Sequence, residues 1–216
     1  MIRPSYFRSL LFGYNAPVGE LETAGACLWF RVQTDHHLRV ISELTFTHHL
    51  EHDLATQILA RDRALMLANR IGYTVANPEC FNFQTKEPKG FTGQTIAITF
   101  ALCDIALTQG DDNTFNGWQR VRGLFRASPD GSPWLTIDPS AEHLIRALTT
   151  ALSDDTKPNE LASYAPALHA LRFAAMSQPA PETISEFDDP PPGTPAAVMR
   201  DLMRDSIAGR RFGEAR

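Results

Sequence analysis

The sequence predicts an α+β domain: an antiparallel β-sheet, made of a hairpin plus a meander, with helices packed on one side and a Pro-rich tethered C-terminal helix. Three observations predict it. Apolar runs at 26–33 and 38–47 flank the polar Thr34-Asp35-His36-His37, as in a hairpin. Three more strand-like runs follow at 95–107, 118–126 and 133–137, separated by turn residues. Helical periodicity is confined to 48–71 and to residues beyond 139, so the element order reads ββα, βββ, αα.

Taken in order, Leu38, Val40, Leu44 and Phe46 share one face at period two, the pattern of a half-buried strand. Thr47 fits an N-cap, and Leu50, Leu54, Ile58, Leu65 and Ala68 hold helical spacing through 48–71, ending before Gly72. Residues 74–94 are rich in Pro, Gly, Asn and Lys and read as a long surface loop. The run 95–107 is almost continuously apolar, as expected of a central strand buried on both faces; Asp104 within it would need Arg120 or Arg122 as partner. Pro129-Asp130-Gly131 turns the strand 118–126 into 133–137. Asp138 as N-cap and Pro139 at the first helical position open a helix through Leu144, Ile145, Leu148 and Leu152, and 160–176 add helix interrupted at Pro166.

The composition divides the chain into a domain at 1–176, a Pro-rich linker at 177–193 and an amphipathic helix with a basic tail at 194–216. In the last segment Val198, Met199, Leu202, Met203 and Ile207 form one apolar stripe. A short amphipathic helix on a stiff tether fits helix-in-groove docking, with Val198, Leu202 and Ile207 as anchors on a protein partner or on the chain's own domain.

Bulk properties exclude several classes. The 216 residues suit one domain plus appendages, and 43% hydrophobic with 21% charged residues is ordinary for a folded chain. A net charge of −5 argues against a general nucleic-acid binder but leaves room for a local basic patch. Cys27, Cys80 and Cys103 are widely spaced with no CxxC, which fits reduced thiols in the cytoplasm. No stretch approaches the roughly 20 apolar residues of a spanning helix, so no membrane association is expected.

One cluster carries metal chemistry. If His48 and His52 lie at i and i+4 on a helix, two imidazoles face one ion while Glu51 reaches its water, whose pKa zinc lowers to about 7. His48-His49-Leu50-Glu51-His52 resembles the H-x-x-E-H signature of the inverzincins, the pitrilysin-like peptidases. The resemblance covers five residues. It implies His48 and His52 as zinc ligands, Glu51 as general base and a third glutamate ligand from a later helix, for which Glu142 is the candidate. The structural alternative is a solvated first helical turn in which Glu51 favours the helix dipole.

A second constellation is Trp118 with Arg120, Arg122 and Arg126, an aromatic beside alternating cations that could stack and neutralise single-stranded nucleic acid. The alternative is a solvated strand face. No G-x-S-x-G elbow, P-loop or G-x-G-x-x-G sequence occurs. The expectation is therefore a non-enzymatic accessory or assembly subunit of a cytoplasmic complex, binding a protein partner through its C-terminal helix and holding no cofactor. The alternatives are a zinc-dependent hydrolase at His48, Glu51 and His52, or a component contacting RNA or single-stranded DNA in a ribonucleoprotein or mobile-element complex through Trp118, Arg120 and Arg122.

Overall fold

The structure is a computed structural model that describes residues 6–15, 23–33, 36–47, 50–82, 95–126, 128, 131–151 and 158–179. All of these fall in one compact unit, Met1–Pro181. The segment 194–216, with Val198, Leu202 and Ile207, lies outside the described residues. No described helix is long and apolar enough to cross a membrane.

The fold is α+β, but the sheet is mixed rather than antiparallel. Strands β1 (Tyr6–Asn15), β2 (Thr23–Val32) and β3 (Leu38–Thr47) form an antiparallel meander, while β4 (Ile71–Ala76), β5 (Leu107–Gln109) and β6 (Leu135–Ile137) join it in the order β5-β4-β1-β2-β3-β6. Strand β4 runs parallel to β1, β5 parallel to β4, and β6 parallel to β3. The crossovers are helical: α1 (Glu51–Ala64) precedes β4 and α2 (Ile96–Leu102) precedes β5. Helices α3 (Thr114–Leu124), α4 (Glu142–Ala151) and α5 (Pro158–Ser177) follow.

These helices lie on both faces of the sheet, not on one. Along β2, Ala26, Leu28 and Phe30 face a core shared with α3, α4 and α5, while Cys27 and Trp29 face a core shared with α1 and α2. Phe7 stacks between Phe30 and Tyr73, at centroid distances of 4.8 and 4.9 Å. Each such buried aromatic contributes about 1.5–3 kcal/mol. The period-two reading of β3 breaks at Ile41: Val40 pairs with Phe30 and Ser42 with Trp29, leaving Ile41 as an extra residue. This bulge sends Leu38 and Val40 to one face and Leu44 and Phe46 to the other.

Other elements differ from expectation for local reasons. Helix α1 starts at Glu51 because Leu50 is extended, and it stops early because Met66 and Asn69 take left-handed conformations that swing the chain into β4. The apolar run 95–107 is mostly helix: Thr95 Oγ1 accepts from Ile98 N at 3.2 Å, and Ile96 and Phe100 are buried one turn apart. Asp104 sits exposed in a left-handed turn after it, not in a buried ion pair. Residues 118–124 are helical because Asn113 Oδ1 caps the backbone N–H of Asn116 at 3.0 Å while Gly117, Val121 and Leu124 bury one stripe. Pro166 lies inside α5 without ending it. That helix is alanine-rich, so it lies close to the sheet: Ser9 Oγ donates to the Ala170 carbonyl at 2.6 Å.

Candidate functional site

The parallel strands β4 and β5 end level with each other, opposite Leu10 of β1, which runs on to Asn15, and ligands of α/β sheets gather beyond the carboxyl ends of such strands. There the structure has a cleft of about 310 Å³ lined by Asn77, Glu79, Asp112, Thr114, His169 and Arg172 among others. A larger cavity of about 380 Å³ beyond β2 and β3 is lined, among the described residues, mostly by small and apolar side chains, with His143 the titratable one. The chemistry is in the first.

Each polar side chain of the cleft has an identifiable cause. Backbone pairing of β1 with β4 ends at Leu10 and Ala76, and Asn77 continues it with its amide: Oδ1 accepts from Phe12 N and Nδ2 donates to Phe12 O, both at 3.0 Å. The same Nδ2 donates to Glu79 Oε2 at 2.7 Å, and Cys80 Sγ donates to Oδ1 at 3.3 Å. Burial pushes the Cys80 thiol up to about 12, so it stays protonated. Gly110 follows β5, where a Cβ would lie 2.6 Å from the Phe173 ring; the strand end and α5 can meet only at a glycine. Asp112 follows, and its Oδ1 accepts from Arg172 Nη2 at 2.9 Å. The aliphatic stem of Arg172 passes Gly117 of α3, and its guanidinium lies 4.4 Å from the Phe173 ring centroid. Its Nε and Nη1 are buried without a protein partner. Burial and then the Arg172 charge hold the His169 pKa below its usual value, so its imidazole is neutral at pH 7.

Of the described residues singled out by sequence, none is among the cleft's lining residues, and Trp118 alone touches one of them, His169. Glu51 and His52 open α1, and His52 is exposed; His48 lies outside the described residues, and the extended Leu50 means that the five-residue motif is not one helical turn. Glu142 begins α4, whose Leu144 and Ala147 pack on the opposite face of the sheet from Leu54 and Ile58 of α1. Glu142 and the Glu51–His52 pair thus belong to helices packed on opposite faces of the sheet, and among the described residues no group of three or more His, Cys, Asp or Glu gathers them. Of the other set, Trp118 is half-buried edge-on to His169, with ring centroids 5.7 Å apart, and Arg120 Nη2 donates to the Gln178 carbonyl at 2.8 Å. Arg122 is exposed. Asn77, Asp112, His169 and Arg172 were missed, because they are isolated in sequence and meet only across the sheet; Asn77-Pro78-Glu79 was absorbed into a supposed loop.

No protein-family model matches the chain, and no curated protein matches it. Among solved structures it is similar to the nuclease domain of the large terminase g2p of bacteriophage SPP1 with bound Mn. The two share 12% identity at a TM-score of 0.48, over 79% of this chain and 84% of that one. It is also similar to the large terminase nuclease of thermophilic phage G20c, with 14% identity and a TM-score of 0.39 over 68% and 65% of the two chains. The expectation of a non-enzymatic accessory subunit, with its emphasis on protein interaction, finds no counterpart in these two structures, both of which are nuclease domains.

A divalent metal in this cleft would need donors suited to it. Manganese and magnesium prefer about six oxygen ligands in octahedral array. The described lining offers two carboxylates, of which Asp112 already faces a guanidinium. Among the described residues no group of three or more His, Cys, Asp or Glu could hold a metal ion. The described donor set does not fit a metal centre.

Proposed function

We propose that this chain is a nucleic-acid-handling domain that receives a phosphodiester backbone at the cleft beyond β1, β4 and β5 and along the exposed side of α3. Helix α3 carries this reading. It begins at the cleft, where Thr114 is part of the lining, and exposes Phe115, Gln119 and Arg122. At 3.6 residues per turn these three share one side of the helix. Arg126, just past the helix end, is exposed as well. An exposed aromatic followed by guanidinium groups is the combination that stacks bases and neutralises phosphates of a single strand. Phe115 is 72% exposed, so its ring face is open to a stacking base. With a net charge of −5, contact is confined to such a local surface. That the two similar phage structures are nuclease domains agrees with this reading without carrying it.

The test is fluorescence anisotropy of labelled single- and double-stranded oligonucleotides across a salt series. Phe115→Ala is expected to weaken single-strand binding about 5- to 150-fold, from about 1–3 kcal/mol per stacked base. The double variant Arg122→Ala/Arg126→Ala should lower the salt slope by about 1.5 on single strands, from roughly 0.7 per phosphate contact. Absence of binding at low salt, or identical binding by all variants, overturns the reading.

A further inference from the structure

We infer that the cleft is not a resident metal centre, and that its fixed positive charge is the Arg172 guanidinium. The inference rests on the nucleic-acid reading above and concerns what the cleft uses in place of an ion. Three features of the described residues point the same way. The Asp112 carboxylate, a natural ligand for a hard cation, instead accepts from Arg172 Nη2 at 2.9 Å, and a guanidinium never gives up its charge near neutral pH. A divalent ion at the same carboxylate would sit against that charge. Glu79 Oε2 is taken by Asn77 Nδ2 at 2.7 Å, and the Asn77 amide is committed on both sides to Phe12 of β1. Turning the amide to serve a metal would break the join between the two strands.

Arg172 itself is built in. Its side chain is 3% exposed, whereas that of Asp112 is 60% exposed, so the cation is held by the fold and its partner is the group that meets solvent. Neutral His169 completes the picture: a ligating imidazole must be neutral, but this one owes part of its lowered pKa to the same Arg172 charge that disfavours an ion beside it. The consequence is that a nucleic acid held at this cleft is held without a divalent ion, and that cleavage dependent on Mn²⁺ or Mg²⁺ does not arise from it.

The experiment uses the full chain. Manganous chloride is titrated into the protein up to millimolar concentration while free Mn²⁺ is followed by electron paramagnetic resonance, and oligonucleotide anisotropy is recorded with chelator and with Mn²⁺. The expected result is a free-ion signal that grows in proportion to added metal, with oligonucleotide affinity equal to within twofold in the two buffers. Saturable Mn²⁺ uptake that is lost in Glu79→Gln/Asp112→Asn overturns the inference, as does binding of oligonucleotide only when Mn²⁺ is present. Saturable uptake retained in that double variant places the ion elsewhere and upholds it. If oligonucleotide is bound in neither buffer, the function proposed above falls, and the Mn²⁺ titration of the free protein still decides the metal question.

Discussion

Of the arginine–aspartate pairs at 2.9 Å among the described residues, Arg8–Asp62 and Arg172–Asp112 have opposite surroundings. Arg8 of β1 and Asp62 of α1 are both shut in, with side chains 6% and 7% exposed. The Arg8 Nε donates to Thr74 Oγ1 at 2.9 Å, and the second oxygen of Asp62 accepts from Trp29 Nε1 at 2.7 Å. That network ties β1, β2, β4 and α1 together. The pair at the cleft is lopsided: Arg172 is buried with two donors unmatched, and Asp112 stands in the cleft lining. A closed network serves the fold alone. An open one leaves a charge positioned next to space that a ligand can enter.

The largest effect should come from breaking the closed pair. Asp62→Ala leaves the Arg8 guanidinium and the Trp29 indole N–H unpaired in the interior, and a cost of about 3–5 kcal/mol is expected. Thermal or urea unfolding measures it. Asp112→Ala should cost less, about 1–2 kcal/mol, because water can enter the exposed space that the carboxylate vacates and solvate Arg172 Nη2. Equal losses in the two variants would show that the cleft pair is as closed as the other, and would remove the contrast. The smallest effect concerns pH. The folded pKa of His169 lies below its ordinary 6.5, so the unfolded chain binds more protons in that window. Its contribution to stability is whole above about pH 6.5 and is lost as pH falls toward the folded value. Melting curves between pH 7.5 and 5 should therefore fall less steeply for His169→Gln, by a few degrees at most. A steeper fall in the variant would place His169 in a site that favours its charged form.

Legibility tracked how local each signal was. The hairpin of β2 and β3 was read correctly, since its strands are adjacent in sequence and its turn is polar. The helix α4 was found from its apolar spacing, and β6 from the turn before it. Strand β1 was missed altogether, and β4 was split between a supposed helix end and a supposed loop, although the two form the parallel pair at the heart of the sheet. Short apolar runs such as 95–107 do not distinguish strand from helix by periodicity alone, and here the Thr95 cap and the burial of Ile96 and Phe100 settled the matter. The alternation of Arg120, Arg122 and Arg126 had the period of a strand by coincidence, on a segment whose buried stripe is Gly117, Val121 and Leu124.

By itself, the sequence determined the α+β class and the β2–β3 hairpin, because each depends on neighbours within a few positions. Only the tertiary structure decided that the sheet is mixed and covered on both faces, that α1 and α4 pack on opposite faces of it, and that Asn77, Asp112, His169 and Arg172 share one cleft. The reason is distance along the chain: Asn77 and His169 are brought together by parallel crossovers and by α5 packing on β1 and β2, and the pairing of remote strands leaves no period in the local sequence from which it could be read.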